Sequence, residues 1–161
     1  MSSVENYIPY QPNAQGLTEV LIDLKSTMPS QTVFKVTGYE TICFENVTQG
    51  DALYSRASDG QVGKAIANDT FDKACVAGVA ETTKTAGQSV KVIVAGIVAT
   101  SGLNTGDQYF LSAASAGAIV ETPPSSAGQY ISRVGEAGST GQFIVNAERP
   151  ILLSWYLVVV K

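Results

Sequence analysis

Beyond residue 30, apolar residues come in short runs that alternate with polar ones, the period-2 pattern of strands half-buried on a sheet. This pattern predicts strands over residues 32–37 and 40–46 around a Gly38-Tyr39 turn. Further strands are predicted over 52–56, 73–80, 89–100, 108–113, 118–122, 130–137, 142–147 and 151–160. The clearest is 89–100, where unbroken alternation sets Val90, Val92, Val94 and Val98 on one face and Lys91, Ile93 and Ile97 on the other. No long helical period intervenes between these runs. The fold class expected is therefore all-β, a small antiparallel sandwich or barrel.

Two stretches echo each other. Gly50-Asp51, Tyr54 and Ala57-Ser58-Asp59-Gly60-Gln61-Val62 match Gly106-Asp107, Phe110 and Ala114-Ser115-Ala116-Gly117-Ala118-Ile119. Each reads as a turn, a short strand carrying an aromatic, a tight glycine turn and a returning strand. Two β-hairpins are predicted, because glycine tolerates the backbone angles a reversal needs.

The two ends of the chain read differently. Residues 1–16 hold Pro9 and Pro12 among polar residues and tyrosines with no period, which predicts an extended arm. The single β domain then covers 17–161. Within it, Leu17, Val20, Leu21 and Leu24 fit a helical spacing while Val20, Ile22 and Leu24 alternate, so both an extended segment and a short helix stand open before Pro29. After Pro150, the residues from Ile151 to Val160 are apolar at nearly every position. Such a strand wants cover on both faces, as a central strand or at a subunit interface.

Composition narrows the chemistry. The 161 residues carry a formal charge of −4 with scattered Lys and Arg, so there is no basic track for a nucleic acid. Histidine is absent, which removes the commonest metal ligand and every Ser-His-Asp or Cys-His arrangement. The two cysteines, Cys43 and Cys75, sit in apolar surroundings and read as buried free thiols. No leader pattern opens the sequence, and the longest apolar run is too short to span a bilayer, so a cytoplasmic origin without membrane attachment is expected.

The remaining groups offer few candidate sites. The run Gly135-Glu136-Ala137-Gly138-Ser139-Thr140-Gly141 lacks the Lys-Ser/Thr of a phosphate loop and reads as a hairpin turn. Asp51, Asp59, Asp69, Asp72 and Asp107 fall at predicted turns, where aspartate bonds its own backbone, and do not follow the spacing of a calcium loop. No carboxylate pair stands out for glycosidase chemistry. Tyr39, Tyr54, Tyr109, Tyr130 and Trp155 either line a carbohydrate groove or serve as core and interface anchors. No catalytic residue, cofactor or metal is expected, and the chain reads as a non-enzyme.

The stretch from residue 50 to 153 resembles a β module found in virion proteins of tailed phages, including capsid decoration (cement) proteins and head or tail fibre proteins. The residues that carry the resemblance are Gly50-Asp51-Ala52-Leu53-Tyr54, Asp59-Gly60, Lys64-Ala65, Val76-Ala77-Gly78-Val79-Ala80 and Gly87 with Val90 and Val92. They continue through Gly96, Val98, Leu103, Gly106, Tyr109-Phe110-Leu111-Ser112, Gly117, Pro123-Pro124, Gly128 and Val134-Gly135-Glu136-Ala137. The resemblance implies a structural role on the virion without enzymatic activity. Because the module nearly fills the chain, a small decoration subunit is expected, made in the bacterial cytoplasm and seated on the capsid surface. It would stabilise the capsid as a homotrimer between capsomers by binding the major capsid protein. The arm around Tyr7, Ile8, Pro9 and Tyr10 is the expected shell contact, and Trp155, Tyr156 and Leu157 the expected subunit interface. A head-fibre, tail or baseplate component and a carbohydrate-binding host-recognition module are the alternatives.

Overall fold

The computed structural model describes residues 36–154. The arm, the segment over 17–28, residues 32–35 of the strand expected over 32–37 and residues 155–160 of the strand expected over 151–160 lie outside them. The elements in chain order are β1 (Thr37–Ile42), β2 (Ala52–Ser55), β3 (Val62–Lys64), α1 (Phe71–Ala74), β4 (Gly78–Ala80) and β5 (Ser89–Ala99). There follow β6 (Gln108–Leu111), β7 (Ile119–Val120), β8 (Tyr130–Ile131), β9 (Arg133–Ala137), β10 (Gln142–Asn146) and β11 (Ile151–Leu152).

Nine strands form one sheet in the order β3-β2-β4-β5-β10-β9-β6-β7, with β1 also paired to β5, while β8 and β11 make a separate two-stranded ribbon. Every ladder between these strands is antiparallel. The large sheet curls into a half-barrel, so the all-β antiparallel class read from the alternation is the class observed.

Both echoing stretches are hairpins. Tyr54 of β2 pairs with Gly63 of β3, and Phe110 of β6 pairs with Val120 of β7. The second hairpin's turn docks on the first hairpin through the backbone. The Gly117 N–H donates to the Ala65 carbonyl at 2.7 Å, and the Ala52 N–H donates to the Gly117 carbonyl at 2.8 Å. Ala65 in turn donates to the Ala52 carbonyl at 2.9 Å, closing a ring of main-chain bonds between the two units. Because buried backbone groups must be paired, this ring fixes the relative position of the hairpins without any side chain.

β5 is the hub, pairing with β1, β4 and β10. Its alternation is broken where the sequence pattern predicts none. Thr37 pairs with Ala95 and Gly38 with Ile93, so Val94 has no partner on β1 and bulges. An extra residue in one strand reverses the faces beyond it. Ile93 is accordingly buried with Val98, while Val94 is 40% exposed. The Gly38-Tyr39 pair expected to turn the chain lies inside β1, where a Cβ at Gly38 would run into the Val92 carbonyl oxygen. Glycine is there for close approach rather than reversal.

The bulge lets one strand serve two cores. Ile93 and Val98 join Tyr54, Val79, Tyr109, Leu111, Val134 and Phe143 in the larger cluster. Val90 and Val92 lie instead with Cys43, Val47, Leu53, Val62 and Ala80. β2 and β4 are each buried at successive residues, as is part of β5.

Three further expectations are corrected. Residues 73–80 are not one strand, because Thr70 caps a helical turn by accepting from the Lys73 N–H at 3.4 Å, and β4 begins only at Gly78. The run over 130–137 divides at buried Ser132, whose carbonyl accepts from the Leu111 N–H at 2.8 Å, so β8 leaves for the ribbon. Gly135 belongs to β9, and only the Gly138–Gly141 part of its glycine-rich run turns the chain between β9 and β10.

Candidate interaction surface

The expected contact residues Tyr7, Ile8, Pro9 and Tyr10 and the expected interface residues Trp155, Tyr156 and Leu157 lie outside the described residues. The described part of the run after Pro150 has changed character. It forms a two-residue strand paired to β8 at the margin of the fold, so among the described residues it is not a central strand. Ile151 is 59% exposed and Leu152 48%. Phe71, on α1, joins this margin by packing edge-on against Tyr130 of β8 at a centroid distance of 6.0 Å, and the Arg149 guanidinium sits 5.1 Å from the centre of the Phe71 ring. Sequence reasoning missed Phe71 and Arg149. They are 78 positions apart and meet only through the fold, so no local pattern could have paired them.

The aromatics proposed for a carbohydrate groove separate. Tyr54 and Tyr109 are core residues, Tyr130 is half-buried, and Tyr39 is exposed on β1. Tyr109 does border a shallow groove of about 610 Å³ with Leu103, Ala113, Ile119, Glu121 and Pro124. Its ring is only 3% exposed, however, and both roles of its hydroxyl are taken. The hydroxyl accepts from the Asn104 N–H at 2.8 Å and donates to the Glu121 carboxylate at 2.7 Å, and the Asn104 amide also donates to Glu121 at 2.6 Å. Burial, chiefly, pushes the Tyr109 phenol above its ordinary value, so it stays neutral at pH 7. This triad ties the loop before β6 to the residue after β7 and offers neither a nucleophile nor a stacking face.

The charged groups are engaged locally. Asp51 accepts from the Thr48 N–H at 2.8 Å with Lys64 Nζ 3.9 Å away. Burial outweighs both and raises its carboxyl above the usual aspartate value. Asp59 is gripped by Arg56, with Nε to Oδ1 at 3.0 Å, and that hydrogen bond lowers its carboxyl. Asp69 is lowered likewise by Lys73 at 2.7 Å. Asp51 and Asp59 thus cap their own turns as read from the sequence, Asp59 accepting from the Gln61 N–H at 3.1 Å, whereas Asp72 lies inside α1.

Both cysteines are free. Cys43 is buried, with its thiol 3.2 Å from the Thr85 carbonyl, while Cys75 is only half-buried. Among the described residues, no group of three or more His, Cys, Asp or Glu is placed to hold a metal ion, and no helix is long and apolar enough to cross a membrane. No protein-family model and no curated protein matches the chain.

Proposed function

We propose that this protein is a virion structural protein that decorates a phage capsid, stabilising it by binding major capsid protein subunits as a homotrimer between capsomers. The observation that carries this reading is the main-chain ring joining the two Gly-Asp hairpins at Ala52, Ala65 and Gly117. It ties the two hairpins together through main-chain bonds alone, and most of the glycines that carry the resemblance lie at turns and close approaches. A module repeated in many copies gains strength by adding weak symmetric contacts, with no single strong site required. The shell contact is assigned to the arm at Tyr7, Ile8, Pro9 and Tyr10, on the strength of the sequence alone.

Rebinding to stripped capsids tests the proposal directly. The full chain should restore saturable density on the shell in cryo-electron micrographs, and a chain lacking the residues before Gly16 should fold but fail to rebind. Density on the tail or on head fibres would move the protein to those structures. Selective binding to a glycan array, with none to capsids, would replace the proposal by host-surface recognition.

A further inference from the structure

The ribbon of β8 and β11 is apolar on both of its faces and well exposed on the β11 side. Leu152 and Tyr130 are paired on one face and Ile151 and Ile131 on the other. Phe71 extends the first face through Tyr130, and Arg149 borders it. Aliphatic residues flanked by aromatics and arginine are the composition of an interface centre.

Among the described residues, the ribbon also has an open edge. Leu153 donates to the Gln129 carbonyl at 2.8 Å and accepts from the Gly128 N–H at 2.8 Å, whereas the Tyr130 N–H turns away from β11 to the Ala67 carbonyl. In an antiparallel pair, residues alternate between bonding the partner and pointing away from it. Leu152 therefore directs its own N–H and carbonyl outward, and no described strand pairs with them. An exposed apolar edge of this kind is a template for a further strand.

The sequence supplies a strand to fill it. Residues 155–160 are Trp-Tyr-Leu-Val-Val-Val, uncharged and rich in β-forming types. The stretch Leu153-Ser154-Trp155-Tyr156-Leu157 holds no Gly, Asn, Asp or Pro, the residue types that favour a tight reversal onto the preceding strand. We infer that residues 155–160 of a second copy of this chain add as a strand along the Leu152 edge, covering Leu152 on one face and Ile151 on the other in the same contact. This deepens the homo-oligomeric part of the function proposed above and rests on its premise that copies associate.

Sedimentation velocity on the full chain tests it with two variants. Leu152→Lys alters the receiving edge, and Leu157→Lys alters the added strand without touching the ribbon. The wild type should sediment as an oligomer. Each variant that keeps the wild-type circular dichroism should fall to the 16.9 kDa of one chain. An oligomer that persists undiminished in a folded variant overturns the inference while leaving self-association standing. A wild type that stays a single chain at its highest soluble concentration overturns both.

Discussion

The Asp51 side chain fills the space that a Cβ on Gly117 would need, with its Cγ only 2.9 Å from the ideal position of that atom. Gly117 also has φ +83°, in the left-handed region that L side chains rarely adopt. The two hairpins recognisable in the sequence are therefore locked at one point by two independent requirements, conformational and steric.

Gly117→Ala should cost about 2 kcal/mol or more, since backbone strain and displacement of Asp51 act together. Gly60 has φ +73° but open space around its would-be Cβ, so Gly60→Ala should cost only ~1 kcal/mol. Urea unfolding of the two variants checks the order. Equal losses would mean that the Asp51 contact has no influence on stability.

The carboxyls should titrate in a defined order. Side-chain carboxyl NMR should find Asp51 above the ordinary aspartate value of ~3.9 and Asp59 and Asp69 below it. A folded-state value raised by burial means that the folded chain holds a proton the unfolded chain has released. Asp51 therefore lowers stability as pH rises from the unfolded value through the folded one, whereas Asp59 and Asp69 contribute stability that is lost as pH falls through their folded values. Asp51→Asn should make stability climb more steeply over the acid range, and Arg56→Gln should raise the Asp59 midpoint while leaving that of Asp51 in place.

The bulge in β5 gives neighbouring residues opposite tolerance. Val94→Lys should change stability by no more than about 0.5 kcal/mol, as at other exposed positions. Ile93→Lys should abolish cooperative unfolding, because it places an unpaired charge in the core. The reverse outcome would restore the unbroken alternation predicted over 89–100.

Tyr109→Phe removes the hydroxyl that joins the Asn104 N–H to the Glu121 carboxylate. A loss of about 1 kcal/mol is expected, since Glu121 is exposed and regains water while the Asn104 donor loses its partner. Hydrogen exchange should show faster opening at Asn104 with little change at Ala52 or Gly117. Uniform acceleration across the sheet would assign the hydroxyl a global role instead.

The sequence by itself determined the all-β antiparallel class and the two Gly-Asp hairpins, because alternation and turn chemistry act between residues close along the chain. The expected hairpins form, and the structure supplies their register, Tyr54 opposite Gly63 and Phe110 opposite Val120. Tertiary structure alone decided where the alternation breaks. Val94 bulges opposite the step from Thr37 to Gly38 on another strand, where a Cβ at Gly38 would meet the Val92 carbonyl, and β8 parts from β9 at Ser132, which is bonded to Leu111. The candidate surface divides in the same way. The apolar run after Pro150 was legible as wanting cover, but its meeting with Phe71, Tyr130 and Arg149 was not. Those contacts arise from packing between distant segments, which depends on the whole fold and leaves no trace in local spacing.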